Sequence, residues 1–245
     1  MSIKWTPWNP WHGCTPISSG FKNCYVYTMD GMYGKDASII SRTQSFHLPL
    51  ALNRKGGFVI PSGSHLFTCG NSDFFHPEAD PWRKEAFAIM RLRTDVHFLI
   101  ITKRIDRFYR VLPSDWGEGY DNITIGCTCE DQQQADYRLP LFLAAPIRHR
   151  VIACQPLLEP INLLPYLSSE KIQEVVVGGE SGPHPRICDY QWILHLKEQC
   201  QACKVSFSFR QTGARFRKDG KVYAIPRKLQ HVQAQKSGND LFFSR

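Results

Sequence analysis

No apolar run in this sequence approaches the roughly 18 residues of a membrane-spanning helix, so we predict no membrane association. The first residues, MSIKWTPW, lack the basic and then apolar layout of a secretory signal peptide, and we expect a cytoplasmic protein. Charged residues are sparse at 21%, but the hydrophobic share of 42% is ordinary, which argues against global disorder. The 245 residues show no repeat of fixed period, and they suffice for one large α/β domain or two small ones.

Nine cysteines are an odd number for a disulfide framework. In a compartment that keeps thiols reduced, we expect buried thiols or metal ligands instead. Cys14 and Cys24 stand out because they bracket a short loop rich in Pro, Ser and Gly, GCTPISSGFKNCY. The Cys-x-x-Cys pair at Cys200 and Cys203 has no second pair at zinc spacing, so we expect it to serve packing.

Short β-branched or aromatic runs alternate with amphipathic stretches along the chain. This alternation predicts βα units and a full or partial TIM-like βα barrel, with a doubly wound open sheet as the alternative. We predict a barrel over 1–214 with an irregular insertion at 34–64, followed by a basic extension at 215–245. The predicted strands are 65–69, 97–102, 122–127, 150–154, 174–179 and 205–209, with a further one near the N-terminus. The predicted helices are 80–93, 131–143 and 189–201.

Polar residues follow each predicted strand. In a βα barrel the active site lies at the carboxyl ends of the strands, so we expect these side chains to share one rim. A purely structural scaffold does not need such a ring, although single members have structural explanations. The residues are Asn71, Ser72, Asp73, Thr102, Lys103, Arg104, Glu130, Gln155, Glu180, Ser181, Arg210 and Gln211. For Arg104, the structural alternative is an ion pair with Asp106 or Asp136.

The motif GGESGP adds Gly178 and Gly179 to this rim. Two adjacent glycines allow a backbone to approach a ligand closely, and Glu180 at a strand end is placed to grip an ammonium or hydroxyl group. A tight turn with an exposed Glu is the structural alternative.

The charge is concentrated at the C-terminal end of the chain. Residues 204–245, called the basic segment below, hold ten Lys/Arg and two Asp/Glu, whereas the remaining residues balance to zero. Such a segment is suited to nucleic acid phosphates, and a solvated basic tail is equally consistent with the count.

Seven motifs together resemble a family of bacterial and phage proteins with a three-cysteine motif near the N-terminus. That family is in turn similar to radical S-adenosylmethionine enzymes and, distantly, to spore photoproduct lyase. The resemblance runs nearly end to end. The motifs are WNPWHGCTPISSGFKNCY, CGNSDFFHPEADPWR, IITKRIDRF, TIGCTCEDQQQADYRLP, ACQPLLEPINL, VVVGGESGPHPR and FSFRQTGARF.

The resemblance implies a radical-SAM-type barrel with a 4Fe–4S cluster and S-adenosylmethionine as cofactors. Cys14 and Cys24 would be the metal ligands of this chain. The predicted catalytic group is Asp73, Lys103, Glu130 and Gln155. The predicted cofactor-binding group is Asn71, Ser72, Gly178, Gly179, Glu180, Ser181, Arg210 and Gln211.

The chain departs from the family pattern at two positions: Phe21 takes the place of the middle cysteine, and Gln155 stands where we expect Glu. An impaired variant, a member without redox chemistry and an engineered substitution all remain open. A third cluster ligand would have to be recruited from Cys69, Cys127, Cys129 or His12. Two functions are therefore predicted side by side. One is a radical S-adenosylmethionine-type enzyme acting on nucleic acid or a nucleotide, and the other is a non-catalytic protein that binds nucleic acid or a partner protein.

We predict that the chain, purified in air, carries no full 4Fe–4S cluster, because two thiolates leave two irons without protein ligands. Phe21→Cys is expected to give brown protein with roughly four irons per chain after anaerobic reconstitution, read by absorption and electron paramagnetic resonance beside the unaltered chain. An ordered cubane on Cys14, Cys24 and a third ligand such as Cys127 in the unaltered chain would contradict this prediction.

Overall fold

The computed structural model describes residues 4–243, which form a mixed α/β fold. The strands are β1 (Trp5–Trp8), β2 (Trp11–His12), β3 (Ser41–Arg42), β4 (His65–Thr68), β5 (His97–Thr102), β6 (Ile123–Thr128), β7 (His149–Cys154), β8 (Glu174–Gly178), β9 (Cys188–Asp189), β10 (Ser206–Gln211), β11 (Arg215–Lys218) and β12 (Lys221–Ala224). The α-helices are α1 (Tyr25–Met32), α2 (Asp80–Leu92), α3 (Gln132–Ala144), α4 (Leu164–Leu167), α5 (Tyr190–Ala202) and α6 (Arg227–Lys236). None of the described helices combines the length and apolarity needed to cross a membrane; the cytoplasmic location stays a prediction.

Seven strands form the main sheet in the order β1-β4-β5-β6-β7-β8-β10. The pairs β1–β4, β4–β5, β7–β8 and β8–β10 are parallel. The six predicted strands and the further N-terminal one are confirmed, as is the mixed α/β class. The order has two ends, β1 and β10, and a closed TIM-like barrel is not confirmed.

The chain forms two compact units. Unit 1 comprises the chain up to Thr15, Asp30–Gly126 and Ala145–His149, and unit 2 comprises Pro16–Met29, Cys127–Ala144 and the chain from Arg150 onward. The irregular stretch at 34–64 lies in unit 1, where it contains β3 and a 3-10 helix at Leu48–Leu50. The segment from 215 lies in unit 2, and the proposed boundary at 214 stays a prediction.

Buried aromatic side chains fill the interior of unit 1. Trp8 is fully buried, and its Nε1 donates to the carbonyls of Ser45 and Phe46, both at 3.1 Å. Its ring meets Phe98 of β5 with centroids 5.5 Å apart. The core therefore joins strand β1 to strand β5 and to the irregular stretch.

In unit 2 the chain turns from strand to helix where the sequence predicts it. Asp189 has extended backbone angles, and its side chain accepts a hydrogen bond from the amide of Gln191 at 2.9 Å. A carboxylate in this position satisfies one of the free amides at the start of α5 and interacts favourably with the helix dipole. The helix then buries Ile193 and Leu196.

The C-terminal part of unit 2 contains a second, three-stranded sheet in the order β12-β11-β9. β11 and β12 form an antiparallel hairpin whose two turn residues, Asp219 and Gly220, have φ of +51° and +74°. Asp-Gly is the dipeptide that such a two-residue turn requires, because both positions have positive φ. Helix α6 follows directly after this hairpin.

Three histidines lie at strand starts in unit 1: His65, His97 and His149. Nε2 of His97 lies 2.9 Å from the hydroxyl of Thr124. Burial, together with the nearby His65 and His149, lowers the pKa of His97 from 6.5 to about 4. The neutral imidazole is therefore the form that the fold accommodates.

We predict that the free energy of unfolding falls as the pH decreases from about 6.5 to about 4. In this window the unfolded chain protonates His97 and the folded chain does not, so one proton gives a slope of at most about 1.4 kcal/mol per pH unit. His97→Gln keeps a hydrogen-bonding group for Thr124 and should flatten this slope in urea titrations across the pH range. Equal slopes in both proteins would show that His97 does not titrate this way.

Candidate functional site

The predicted site residues fall into two groups, one in each unit. Unit 1 holds Cys14, Asn71, Ser72, Asp73 and Lys103. Unit 2 holds Cys24, Glu130, Gln155, Gly178, Gly179, Glu180, Ser181, Arg210 and Gln211. Apart from the two cysteines, they lie at or just after the carboxyl ends of strands, whereas a single shared rim stays a prediction.

Asp73 in unit 1 is buried and held by its own surroundings. Its Oδ1 accepts hydrogen bonds from the hydroxyl of Thr102 at 2.7 Å and from the amide of Phe75 at 2.9 Å. Its Oδ2 accepts from the amide of Lys103 at 2.9 Å and lies 3.4 Å from Nη1 of Arg104. These contacts use the carboxylate to fix the loops after β4 and β5.

Cys14 is buried in unit 1 and contacts the same arginine. Nη1 of Arg104 donates to Sγ of Cys14 at 3.4 Å, and Nη2 donates to the carbonyl of Thr15 at 2.6 Å. The hydroxyl of Thr15 lies 2.9 Å from Nε2 of His76, whose pKa is lowered by burial and then by Arg104. The predicted metal ligand is therefore part of a hydrogen-bond network centred on Arg104.

Asn71 and Ser72 hold the chain that leads to Cys14. The amide of Gly13 donates to the carbonyl of Asn71 at 3.1 Å, and the hydroxyl of Ser72 donates to the carbonyl of Gly13. Gly13 has φ of +93°, and a Cβ there would lie 2.2 Å from the carbonyl oxygen of Ile39. Only glycine fits here, where the chain passes close to Ile39. The hydrogen bonds to the Asn71 carbonyl and from the Ser72 hydroxyl hold Gly13 in this position.

Glu180 in unit 2 is buried and carries four hydrogen bonds. Its Oε2 accepts from the backbone amide of Arg186 at 2.8 Å, from Nε of Arg186 at 3.0 Å and from Asn23 at 3.0 Å. Nη2 of Arg186 donates to Oε1. Burial alone raises the pKa of Glu180, but these hydrogen bonds outweigh it and the pKa is lowered, so the group is a stable carboxylate.

Glu130 in unit 2 is the most deeply buried carboxylate among the predicted site residues. Its side chain is 0% exposed, and that of Arg138 is 1% exposed. Nη1 of Arg138 donates to Oε2 of Glu130 at 2.7 Å, and the hydroxyl of Ser18 donates to Oε1. The hydrogen bond from Ser18 thus connects Glu130, just before α3, to the loop between Cys14 and Cys24, called the cysteine loop below.

The two glycines after β8 allow the chain to approach itself. A Cβ on Gly178 would lie 2.6 Å from Nε2 of Gln155. A Cβ on Gly179 would lie 2.5 Å from the carbonyl oxygen of Thr212 and 3.0 Å from Cα of Gly213. Close packing of the segment after β10 thus accounts for Gly179. The space over Gly178 is occupied by the end of the Gln155 side chain and by Cγ of Gln211 at 3.0 Å.

Ser181 and Gln211 connect the ends of β8 and β10 to helix α6. The hydroxyl of Ser181 lies 2.8 Å from Oε1 of Gln211 and 2.5 Å from Oε1 of Gln230. Nε2 of Gln211 donates to the carbonyl of Gly179 at 3.0 Å. Arg210 is exposed, and its carbonyl accepts a hydrogen bond from His231 at 2.8 Å.

The sequence does not by itself identify Arg138, Arg186, Asn23 and Ser18 as partners of the two glutamates. Arg104 is predicted on the rim with Asp106 or Asp136 as its partner, whereas it lies beside Asp73. A usable signal was present, because Arg138 follows Glu130 by eight positions and Arg186 follows Glu180 by six. An arginine that follows an acidic residue by a few positions can form an ion pair with it, and a buried carboxylate needs such a partner.

The cysteine loop contains a 3-10 helix at Ser19–Phe21 and runs directly into α1. The amide of Cys24 donates to the carbonyl of Phe21 at 3.1 Å, so Phe21 takes part in the turn through its backbone. Its ring has no lone pair with which to bind a metal ion.

The two predicted cluster ligands, Cys14 and Cys24, lie in different units, and the 4Fe–4S cluster stays a prediction. Within residues 4–243, no group of three or more His, Cys, Asp or Glu is arranged to hold a metal ion. Burial raises the pKa of the Cys69 and Cys129 thiols. Nε2 of His12 lies 2.6 Å from the carboxylate of Asp30.

A basic surface lies in the last part of unit 2, on β11, β12 and α6. It is defined here by seven exposed residues: Arg215, Arg217, Lys218, Lys221, Arg227, Lys228 and Lys236. Of these, Arg217 lies 3.3 Å from a carboxylate oxygen of Asp189.

A groove of about 560 Å³ opens beside this surface, between the β11–β12 hairpin and α6. Aromatic and aliphatic side chains line most of it: Tyr190, Phe209, Phe216, Tyr223 and Leu229. Lys218 and Lys236 also line the groove, and no Asp or Glu does so among the described residues. Its size lies in the range of small-ligand sites.

One comparison with known proteins gave a match. A family model described as a protein of unknown function matches residues 1–242, nearly the whole chain. No curated protein and no solved structure is similar enough to match.

We predict that Glu130→Gln lowers the free energy of unfolding by about 3–5 kcal/mol, because it leaves the buried guanidinium of Arg138 without its counter-charge. Combining it with Arg138→Met should recover part of this loss. Glu118→Gln, at an exposed position, is the control and should change stability little. If Glu130→Gln is as stable as the control, the carboxylate is available for chemistry and the structural role is wrong.

Proposed function

Because the chain belongs to the DUF5131 family of unknown function, we propose from its own residues that it binds nucleic acid without sequence specificity through the basic surface. The observation that carries this proposal is the set of seven exposed Lys and Arg side chains on one hairpin and one helix. Nucleic acid phosphates are the partners that such a surface attracts, and they need no base contacts to bind.

The distribution of charge supports a phosphate partner over a solvated tail. The whole formal charge of +8 arises from the basic segment, and eight of its ten Lys and Arg residues lie on β10, β11, β12 and α6. Fixed cations on regular elements lose less conformational freedom on binding than cations on a flexible chain. Counterion release from the nucleic acid then supplies the main driving force.

The strand-end carboxylates favour binding over catalysis. Asp73, Glu130 and Glu180 are all buried, and each one already accepts hydrogen bonds from side chains of its own unit. A general base must reach the proton that it abstracts, and these carboxylates are committed to structural contacts. The radical S-adenosylmethionine activity implied by the resemblance stays a prediction.

The test measures binding to a labelled duplex of mixed sequence by fluorescence anisotropy over a range of salt concentrations. The triple variant Lys221→Gln, Arg227→Gln, Lys228→Gln should bind more weakly. The slope of log K against log salt should become shallower by about 0.9 for each of these residues that contacts a phosphate.

The matched control is the triple variant Lys35→Gln, Lys55→Gln, Lys84→Gln, which removes the same number of exposed charges from unit 1. It should retain the affinity and the salt slope of the unaltered chain. No binding by the unaltered chain at low salt, or equal losses in both triple variants, would overturn the proposal.

A further inference from the structure

We infer that the groove between the β11–β12 hairpin and α6 receives an unpaired base of a single-stranded nucleic acid, with the flanking phosphates on Lys218 and Lys236. The inference rests on the proposed nucleic acid binding and names the form of nucleic acid that the surface would prefer. It is carried by aromatic side chains and cations that line one cavity.

The groove has a rigid apolar floor. Phe209 and Phe216 are 2% and 6% exposed, and their rings stack with centroids 6.0 Å apart at an interplanar angle of 25°. Tyr190 meets Phe216 edge to face at 5.9 Å, and its hydroxyl accepts a hydrogen bond from Asn239 at 2.9 Å. These contacts fix the floor before any ligand binds, and the surface on which a base can stack must come from a ring that is more exposed.

One aromatic residue of the wall is open to solvent. Tyr223 on β12 is 46% exposed, and Leu229 at the start of α6 is 39% exposed. An exposed ring next to an apolar cavity can stack on a base of any identity, because every base has a π face. Stacking that does not depend on the identity of the base is consistent with the proposed binding without sequence specificity, which depends on phosphate contacts.

The charge of the groove fits a polyanion. Nζ of Lys218 lies 5.1 Å from the centroid of the Tyr190 ring, so it sits above the aromatic floor. Lys236 enters from the last turn of α6. Because no carboxylate lines the cavity, a base can enter without placing its phosphates next to a negative charge.

A duplex cannot use this groove, since its bases are paired and stacked inside the helix. A single strand presents its bases freely and gains stacking on the protein. The basic surface would bind both forms through their phosphates, but the groove adds affinity only for the single strand.

The test compares two labelled single-stranded 12-mers in anisotropy titrations, one with bases and one made of abasic sites. The unaltered chain should bind the base-containing strand more tightly. Tyr223→Ala should weaken binding of this strand by about tenfold and leave the abasic strand unchanged, because stacking on one aromatic residue is lost. Val222→Ala is the control: this neighbour on β12 is equally exposed but does not line the groove.

The outcomes separate the two proposals. If both strands bind the unaltered chain equally well, the inference about the groove is overturned while phosphate binding stands, and this comparison does not depend on the folding of any variant. Equal affinities of Tyr223→Ala and Val222→Ala for the base-containing strand, with unchanged melting temperatures, would also overturn the inference. If neither strand binds at low salt, the proposed function fails and the inference fails with it.

Discussion

A carboxylate that leaves water needs a hydrogen-bonded, positively charged partner, and this constraint governs the strand ends in both units. Arg104 lies beside Asp73 in unit 1, while Arg138 and Arg186 bind Glu130 and Glu180 in unit 2. Each pair also holds a loop: Arg104 contacts Thr15, and the two glutamates accept hydrogen bonds from Ser18 and Asn23. The chain between Cys14 and Cys24 is therefore held by hydrogen bonds to members of these ion pairs.

The sequence predicts much of the fold because local signals agree with one another. The apolar run HFLIIT gives β5 within its predicted bounds, and the Asp-Pro at 80–81 starts α2 where a first-turn proline is favoured. Asp189 caps α5 as expected from its place before an amphipathic run. The closure of a barrel is not a local property, since it depends on how distant edge strands are oriented, and the strand pattern alone does not decide it.

The site could be predicted only in part, because residue types at strand ends do not reveal what they contact. A ring of polar residues after strands is expected of an active site, yet Glu130 is fully buried against Arg138. The glycine pair at 178–179 predicts either a close approach to a ligand or a tight turn, and in the structure the carbonyl of Thr212 takes the space beside Gly179. The charge count of the sequence predicts the basic segment. The groove beside it depends on tertiary packing between Tyr190 and Phe216, and no sequence pattern predicts it.

The hairpin of unit 2 has a consequence for the behaviour of the protein in concentrated solution. β12 is the edge strand of the three-stranded sheet, and all four of its residues are exposed. An open edge invites pairing with the same edge of another copy, which is a common route to aggregation. Lys221 on this strand and Lys218 opposite it place like charges there, so two copies repel each other when their edges approach. The cations that suit a polyanion thus also oppose pairing of two copies at this edge, and dissolved salt weakens the repulsion by screening the charges.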